Sequence, residues 1–469
     1  MRFDSIIEAM REDIVSTTQK LVSMKSLEAQ AEPGAPFGRA MRECLDTTLE
    51  ICKDMGFRVK NVDGYAGHAE YGEGEETVGI LVHLDIVPEG TDWSVDPYEG
   101  VVKDGKLYGR GSIDDKGPAA AAIYALKAVR DIGTKFNRKV RIIFGCDEET
   151  GRWDCMKHYF KHETMPDCGF SPDADFPIIN SEMGIIIFNM KKTFPTAVEN
   201  CCGGIKVKYV KGGNRPNMVP DYAECLLDMN KDFHERIEKT AAYFNEKLHC
   251  KLETIFEDNK CIVKSFGVSA HGSTPEKGIN AVAQLVKFLC SLPLCVNEQT
   301  AFLNFVDENI GIEIHGESFG VYMKDEVSGE LIFNLGIFEL DEQKANVGIN
   351  IRYPVTRSRE EVYVKIYEKV EGMNIEIIEG PEKAPLYVPE DNFLVQKLKA
   401  VYKDVTGLEP KLISIGGGTY ARAIKNAVAF GPLFPGRPEL AHQKDEYIDI
   451  DDLINCAKIY AEAIYELVK

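Results

Sequence analysis

The chain has 469 residues, with 55 Lys or Arg against 75 Asp or Glu, and a formal net charge of −20 with neutral histidines. Such an acidic chain lacks the basic surface that displaces counterions from a phosphate backbone, which argues against a nucleic-acid binder. Its hydrophobic fraction of 44% and charged fraction of 28% are ordinary globular values, and its length predicts about two to three domains.

The sequence also predicts the environment of the protein. No run of about eighteen apolar residues occurs and the amino end is charged and amphipathic, so we expect no membrane span, no export and a cytoplasmic location. The 13 cysteines form no CxxC pair, and their odd number and scattered positions do not indicate a disulfide framework. Reduced core thiols are therefore the favoured interpretation.

Helical and strand periods alternate along the first part of the chain, which predicts an α/β fold. Apolar strands separated by a helix are typical of a mostly parallel sheet that helices cover on both faces. The predicted helices are Asp4–Val22, Gly38–Asp54 and Gly117–Arg130, and the predicted strands are Arg58–Val62, His68–Tyr71, Val78–His83 and Lys139–Gly145.

The pattern changes near residue 184, where alternating strands become dominant and amphipathic helices such as Glu235–Leu248 are few. We predict an inserted α+β domain over residues 184–387, between two parts of a first domain over residues 1–183 and 388–469. The last part returns to the first style, with a helix at Asn392–Thr406, a strand at Lys411–Ile415 and a helix at Asp451–Leu467.

The first chemical signal is His83-Leu84-Asp85 at the end of a predicted strand. Residues two apart lie on the same face of an extended chain, so Asp85 can orient the imidazole of His83, as carboxylates do behind metal-bound histidines. A His-x-Asp motif alone is weak, because most occurrences are surface accidents.

Four further segments carry acids or histidines, and each also has a plain structural explanation. A helix cap, a solvated acidic loop, a turn and a surface loop would account for them one at a time. Loops after strand ends are, however, where open α/β sheets bind ligands. The segments are Tyr108–Gly117 with Asp114, Cys146–Gly151 with Glu148 and Glu149, Ser171–Asp173, and Ala441–Glu446 with His442.

The joint occurrence of these segments is more informative than any one of them. They offer two imidazoles and three carboxylates, a donor set that suits zinc, manganese or cobalt. Two divalent ions would balance the charge of these carboxylates together with Glu148, which would otherwise repel one another. The five candidate ligands are His83, Asp114, Glu149, Asp173 and His442.

Nine motifs follow one another along the chain: HLD, GRGSIDDKG, DEETG, SPDADFP, NMVPD, SAHGSTPEKG, IRYP, GGGTYAR and AHQKDEY. This series resembles the dinuclear-metal dipeptidases of the PepV type, which share a metallopeptidase family with carnosinase, aminoacylase and glutamate carboxypeptidase. The likeness covers nearly the whole chain. It implies a two-domain metallopeptidase, with a catalytic domain formed by residues 1–183 and 388–469 and an inserted lid domain formed by residues 184–387.

Carried over residue by residue, the resemblance implies a ligand set for two divalent ions per chain. His83 and Asp173 would hold one ion, Glu149 and His442 would hold the other, and Asp114 would bridge them. Zinc is the expected metal, with manganese or cobalt as alternatives.

The resemblance also implies roles around the metals. Asp85 would orient His83, and Glu148 would be the general acid and base. In the inserted domain, His271 would stabilise the oxyanion while Asn217 and Arg352 would hold the substrate carboxylate. Further substrate contacts are expected from the glycine loop, at Gly417 and Gly418.

The implied activity is hydrolysis of the amide bond of dipeptides with a free C-terminal carboxylate. The alternatives are a deacylase or desuccinylase of N-acyl amino acids, a metal-dependent phosphoesterase and a catalytically inactive binding protein. We expect a small peptide substrate and no nucleic-acid or membrane partner. A monomer is expected because the large insert resembles two of the shorter units of dimeric relatives, and a cis peptide bond is expected between Asp114 and Asp115.

Two other patterns have plainer interpretations. Gly100 to Lys106 matches a phosphate loop only until Leu107, so a hairpin turn at Asp104-Gly105 is favoured. His158 and His162 are four residues apart, but Tyr159 stands where an HExxH motif has its glutamate, so an exposed helix is the favoured interpretation.

Overall fold

The computed structural model describes residues 2–133, 135–194 and 203–469. The chain divides into two compact units. Unit 1 comprises Met1–Ser181, Leu386–Ser414 and Gly418–Lys469, and unit 2 comprises Glu182–Pro385 and Ile415–Gly417. The sequence prediction set these limits at 183/184 and 387/388 and left residues 415–417 in the first domain.

The described residues form eleven α-helices. They are α1 Asp4–Glu8, α2 Arg11–Val22, α3 Arg39–Asp54, α4 Lys116–Asp131, α5 Asp154–His162, α6 His234–Lys247, α7 Ala281–Cys290, α8 Glu298–Asn309, α9 Arg359–Val370, α10 Phe393–Thr406 and α11 Ile450–Val468.

The described residues also form twenty-four β-strands. They are β1 Arg58–Val62, β2 Ala66–Tyr71, β3 Thr77–His83, β4 Val101–Lys103, β5 Lys106–Tyr108, β6 Lys139–Gly145, β7 Cys168–Ser171, β8 Ala174–Asp175, β9 Ile178–Glu182, β10 Gly184–Thr193, β11 Lys206–Gly212, β12 Tyr222–Asp228, β13 Lys251–Glu257, β14 Lys260–Phe266, β15 Lys324–Asp325, β16 Gly329–Glu330, β17 Ile332–Asp341, β18 Lys344–Tyr353, β19 Glu376–Lys383, β20 Leu386–Tyr387, β21 Leu412–Ile415, β22 Ala427–Ala429, β23 Pro432–Leu433 and β24 Tyr447–Asp449.

A mixed sheet forms the centre of unit 1, in the order β1-β2-β6-β3-β7-β22-β9-β20, with β21 paired to β9. The pairs β6–β3, β3–β7 and β7–β22 are parallel, whereas β1–β2, β2–β6 and β22–β9 are antiparallel. Every residue of β3 is buried, as expected for a strand covered on both faces. The parallel pairing predicted from the sequence is therefore limited to the middle of the sheet.

Helices α4 and α11 pack on each other and on β3 and β6. The first turns of α4 can lie close to their neighbours because small alanine side chains fill the buried positions from Ala119 to Ala122. The predicted helix Asp4–Val22 is two helices, α1 and α2, separated at Ala9 and Met10. No glycine or proline marks this break in the sequence.

Unit 2 is built on an antiparallel sheet with the order β13-β14-β12-β11-β17-β18-β10-β19. Helix α7 packs on β12, β14 and β17, while α8 packs on α7 and α6 on β13. Apolar residues of this sheet and of the four helices α6 to α9 share one buried cluster, separate from the cluster of unit 1. The inserted α+β architecture has its own hydrophobic core.

Two global properties follow from the described residues. None of the helices in the described residues is both long and apolar enough to cross a membrane.

Ten cysteines of the described residues are free, but Cys295 is disulfide-bonded. The expectation of reduced thiols throughout is therefore wrong at Cys295, a pairing that the cysteine spacing did not indicate.

The buried histidine of β2 links the sheet to α5. His68 is 6% exposed, and its Nδ1 is hydrogen-bonded to the hydroxyl of Tyr159 at 2.7 Å. Burial, assisted by the charge of Arg141, lowers the pKa of His68 from 6.5 to about 4. The ring is therefore neutral in the folded protein at neutral pH.

We expect His68 to make the folded state less stable in acid. The unfolded chain gains a proton on this ring near pH 6.5 and the folded chain only near pH 4, so the unfolded state binds more protons between these values. The free energy of unfolding should fall by about 3 kcal/mol as the pH is lowered through this window. Urea denaturation of the metal-free wild type and of His68→Gln at several pH values measures this contribution. Identical pH profiles for the two proteins would contradict it.

Candidate metal centre

Three neighbouring parallel strands of unit 1 bring polar side chains to one edge of the sheet. His83 is the last residue of β3, Glu148 and Glu149 follow β6, and Asp173 follows β7. Strands β6 and β7 both pair in parallel with β3, so the carboxyl ends of all three lie side by side. This arrangement explains why segments far apart in sequence can share one site.

The five predicted ligands lie close together around Asp114. The Nε2 atom of His83 is 2.9 Å from Asp114 Oδ1 and 3.7 Å from Asp173 Oδ1. The Nε2 atom of His442 is 3.1 Å from Asp114 Oδ2 and 3.0 Å from Glu149 Oε2. The two oxygens of Asp114 thus face two different imidazoles, which is the position of a carboxylate shared between two sites.

Glu148 lies beside this cluster. Its carboxylate, His83 and Asp173 place one donor atom each within 4.8 Å of one another. The indole Nε1 of Trp153 donates to Glu148 Oε1 at 3.2 Å, which orients the carboxylate. Glu148 is close enough to act on a group bound at the cluster.

The far side of His83 is held by Asp85, though mainly through the backbone. Nδ1 of His83 lies 2.9 Å from the carbonyl oxygen of Asp85 and 3.5 Å from its Oδ1. A proton on Nδ1 donates to this carbonyl, which leaves the Nε2 lone pair directed at the cluster. The Asp85 carboxylate accepts a hydrogen bond from the Glu149 backbone N–H through Oδ2, at 2.9 Å, and so fixes the loop after β6.

Asp114 is held by a buried ion pair that the sequence analysis did not single out. Glu446 Oε2 accepts a hydrogen bond from Arg110 Nη1 at 2.6 Å. Its Oε1 accepts hydrogen bonds from the backbone N–H groups of Ile113 and Asp114 at 3.1 and 3.4 Å. Arg110 and Glu446 lie within the motifs GRGSIDDKG and AHQKDEY, so their motifs were visible in the sequence while their contacts were not.

Two more residues support His83 from behind. Asp115 Oδ2 accepts a hydrogen bond from the His83 backbone N–H at 3.1 Å. The peptide bond between Asp114 and Asp115 is cis, which confirms that expectation. The ring of Tyr420 meets the His83 ring edge to face, with centroids 6.1 Å apart, and its hydroxyl is 2.9 Å from Cys155 Sγ. Tyr420 occupies the space that a side chain at Gly145 would need.

The pKa values of three carboxyl groups in the cluster are strongly raised. Burial, with the nearby charge of Asp114, raises the pKa of Glu149 to about 7. Burial raises the pKa of Asp173 to about 6 against the lowering effect of His83. Burial and the charge of Asp173 raise the pKa of Glu148 well above its ordinary value. Negative charge is therefore concentrated here beyond what the protein alone compensates.

By contrast, the charged forms of His83, His442 and Asp114 are stabilised. Hydrogen bonds to Asp114 and Glu149 raise the pKa of His442 to about 11. Burial opposes protonation of His83, but Asp173, Asp114 and Asp85 outweigh it and hold its pKa well above 6.5. Burial would raise the pKa of Asp114, yet the two histidines lower it. The cluster thus binds positive charge, and its nitrogen and oxygen donors fit divalent ions of the zinc type.

The predicted residues His271, Asn217 and Arg352 belong to unit 2. His271 forms an isolated β-bridge with Met218, and the Gly272 N–H donates to the Asn217 carbonyl at 2.7 Å, so His271 and Asn217 lie on adjacent segments. The Ser273 N–H donates to His271 Nδ1 at 3.3 Å. The Ser273 hydroxyl oxygen is 2.6 Å from the same atom.

Arg352 lies on β18, an internal strand of the unit 2 sheet. Its side chain is buried, and its Nε donates to Asn350 Oδ1 at 3.0 Å. Asn350 faces Asn334 across the β17–β18 pair, and Asn334 Nδ2 donates to the carbonyls on either side of Asn217 at 2.7 and 3.0 Å. A row of two asparagines therefore connects Arg352 to the segment of Asn217.

The predicted glycine loop follows β21. Gly417 belongs to unit 2, while Gly418 is the first residue of the last segment of unit 1. A side chain at Gly418 would meet the guanidinium of Arg422 at 2.8 Å. The roles of both glycines toward a substrate stay predictions.

Residues 79–466 match the model of a family described as peptidase family M20/M25/M40. The chain belongs to this family. It is also 42% identical over 475 residues to the provisionally named dipeptidase YtjP of Bacillus subtilis (strain 168), with 100% of both chains covered.

Two solved structures share the fold of this M20/M25/M40 peptidase. Human carnosine dipeptidase 1 matches with a TM-score of 0.57 and 18% identity, covering 99% of this chain and 97% of that one. The aminoacylhistidine dipeptidase from Vibrio alginolyticus matches with a TM-score of 0.58 and 13% identity, covering 97% and 96%. These neighbours confirm the predicted two-domain α/β fold class.

Family membership settles the general activity. The protein is an enzyme, a metallopeptidase, and its substrates are peptides. The M20/M25/M40 match includes all five candidate ligands, which lie between residues 79 and 466. The donor cluster of unit 1 is accordingly the candidate metal centre of this peptidase.

We expect the Arg110–Glu446 pair to be essential for the stability of unit 1. Arg110→Met would leave Glu446 buried without its cation, a loss that typically costs about 3 to 5 kcal/mol. Arg39→Met is the matched control, because Arg39 pairs with Glu43 at the surface with 79% of its side chain exposed and should contribute at most about 1 kcal/mol. Urea denaturation of both variants measures the difference, and equal losses would contradict the structural role of Arg110.

Proposed function

We propose that the protein is a dinuclear metal-dependent dipeptidase that hydrolyses the amide bond of dipeptides with a free C-terminal carboxylate. We further propose that it acts as a monomer in the cytoplasm. The provisional dipeptidase name of its Bacillus subtilis relative and the dipeptidase structures that share its fold are in line with this proposal.

The observation that carries the proposal is the arrangement around Asp114. Its two carboxylate oxygens face His83 and His442, and a second carboxylate stands near each imidazole. This arrangement supports one ion held by His83 and Asp173, a second held by His442 and Glu149, and Asp114 shared between them. Zinc is the proposed metal, with manganese or cobalt as alternatives that accept the same donors.

The chemistry divides between the metals and one side chain. When bound, two divalent ions supply Lewis acidity, which makes a water a better nucleophile and polarises the scissile carbonyl. Glu148 stands beside His83 and Asp173, and burial and the charge of Asp173 raise its pKa, which makes it a better acceptor of a proton than an ordinary carboxylate. Glu148 would take a proton from the attacking water and deliver it to the departing amine.

The predicted role of His271 is supported by its local hydrogen bonding. A backbone N–H from Ser273 points at Nδ1, so a neutral His271 carries its proton on Nε2. A protonated Nε2 can donate to the oxygen of the scissile carbonyl as negative charge develops there. Contacts of this kind typically contribute about 2.7 to 4 kcal/mol to catalysis.

Arg352 and Asn217 are proposed to hold the free carboxylate of the substrate. The planar guanidinium of an arginine can form two parallel charge-assisted hydrogen bonds with a carboxylate, which a lysine cannot reproduce. A contact one residue beyond the scissile bond would limit the length of the substrate on that side. The two asparagines between Arg352 and Asn217 would keep these groups in a constant relation.

A substrate panel tests the function. Dipeptides, C-terminally amidated dipeptides, N-acetylated and N-succinylated amino acids and a generic phosphate ester are each assayed with added zinc or manganese. The proposal predicts hydrolysis of free dipeptides well above all other compounds. Preferential cleavage of the N-acyl amino acids would identify a deacylase instead, and no cleavage with both metal sites filled would indicate a binding protein.

We expect Glu148→Ala to lose activity while retaining both metals, because Glu148 is assigned proton transfer and not metal binding. The turnover number kcat should fall by at least about 100-fold. Elemental analysis should still find two ions per chain, whereas Asp114→Ala should lose metal because Asp114 serves both sites. Glu75→Ala is the control, since Glu75 is an exposed loop residue. Metal loss in Glu148→Ala would instead make Glu148 a ligand.

We expect Arg352→Lys to lower kcat/KM for dipeptides by about 2 to 4 kcal/mol, as for the loss of a charged contact in a desolvated site. Amidation of the dipeptide should harm the wild type to a similar extent and the variant hardly further. Arg357→Lys, at a surface arginine with 45% of its side chain exposed, is the matched control. If the effects of the variant and of amidation simply add, Arg352 does not contact that carboxylate.

A further inference from the structure

A second group of side chains with suitable donor atoms for a metal lies in unit 1 at the carboxyl end of α5. His158 and His162 are one helical turn apart, so their side chains project from the same face of α5. Asp63 lies in the turn between β1 and β2, next to the two histidine side chains. The donor atoms of these three residues all lie within 4.8 Å of one another. None of the three belongs to the candidate metal centre.

The distances suit a small cation. Nε2 of His158 is 2.9 Å from Asp63 Oδ2, and the rings of His158 and His162 have centroids 4.4 Å apart. Bonds of about 2.0 to 2.2 Å from zinc to imidazole nitrogen and carboxylate oxygen place tetrahedral ligands somewhat over 3 Å apart. The two rings are tilted by 33° to each other, so a metal ion could replace the proton between His158 and Asp63 when the His162 ring turns toward it.

The three side chains are already positioned by their surroundings. The ring of Tyr65 stacks on His158 with centroids 4.0 Å apart and planes within 14°. His162 Nδ1 lies 2.9 Å from the His158 carbonyl oxygen, so it carries the proton and leaves the Nε2 lone pair free for a metal. Asp63 has φ of 53° in a tight turn whose next residue, Gly64, donates its N–H to Asn61 Oδ1 at 2.8 Å.

The site also resembles a metal site in its access and charge. Asp63 and His162 are exposed and His158 is partly buried, so an ion can enter directly from solvent. One carboxylate and two neutral imidazoles leave a divalent ion with a net positive charge and room for a water as fourth ligand. Imidazole with carboxylate favours zinc, nickel and copper over magnesium or calcium.

We propose that Asp63, His158 and His162 form a third metal site, which binds a divalent transition-metal ion such as zinc. The bound ion joins the β1–β2 turn to the carboxyl end of α5. Helix α5 begins six residues after Glu148, and the backbone N–H of its first residue, Asp154, donates to Asp147 in the loop after β6. The ion thus steadies a helix that is anchored at its other end beside the candidate metal centre. This proposal does not depend on the substrate of the enzyme.

The experiment uses the holoenzyme with its tightly bound metals in place. Zinc chloride alone is titrated into it by calorimetry in a buffer that does not bind metals. Three variants are compared with the wild type: His162→Ala, Asp63→Asn and, as the matched control on the same helix, Lys161→Ala. Loss of even an outer partner of a metal ligand typically costs 10- to 100-fold in affinity, so loss of a ligand should cost at least about tenfold.

The expected result is one additional zinc ion per chain in the wild type and in Lys161→Ala. His162→Ala and Asp63→Asn should bind it at least about tenfold more weakly, with peptidase activity retained in all four proteins. Added zinc should raise Tm in the wild type and in Lys161→Ala, and should not raise it in His162→Ala or Asp63→Asn. The electron paramagnetic resonance spectrum of Cu²⁺ in this site should show nitrogen ligation that His162→Ala reduces. Equal additional zinc binding by all four proteins, or none by the wild type, would overturn the proposal and leave an ordinary surface ion pair.

Discussion

The concentration of buried negative charge around Asp114 is the constraint on which the rest of unit 1 depends. Two like charges about 4 Å apart repel by about 4 kcal/mol at an effective dielectric constant near 20, and four carboxylates meet here. The pKa values of Glu149 and Asp173 rise to about 7 and about 6, while that of His442 rises to about 11. Such a site favours bound positive charge. The ends of the parallel strands supply His83, Glu149 and Asp173, while the loops before α4 and β24 supply Asp114 and His442.

The surrounding residues hold the donors by hydrogen bonds to the backbone. Arg110 and Glu446 fix the backbone of Asp114, and the carboxylate of Asp85 fixes the backbone of Glu149. Because these hydrogen bonds go to backbone atoms, they set where each loop lies without competing for a metal. A metal site requires this division, since its ligands must be placed accurately in spite of their mutual repulsion.

The sequence predicted the elements that periodicity can detect. Lys139–Gly145 was predicted residue for residue, and the strand ending at His83 began one residue earlier than predicted. Periodicity gives no information about strand order, so the antiparallel margins of the sheet were not predicted. The break between α1 and α2 also has no local signal, because neither Ala9 nor Met10 interrupts a helix on its own.

The chemistry of the site was visible in the motifs, whereas its supporting contacts were not. His83 and Asp114 stood out because imidazole and carboxylate are recognisable donors in unusual surroundings. Arg110 and Glu446 are 336 positions apart, and only the fold brings this pair together. Asp85 shows the same limit, because the motif predicted a carboxylate behind His83 but not the hydrogen bond from Glu149 N–H to that carboxylate.

Anomalous X-ray diffraction from crystals of the zinc-loaded protein, recorded on both sides of the zinc absorption edge, tests the central claim most directly. The account predicts two zinc peaks about 3.5 to 4 Å apart on either side of the Asp114 carboxylate, one beside His83 and one beside His442. A single peak, or two peaks that do not share Asp114, would contradict it.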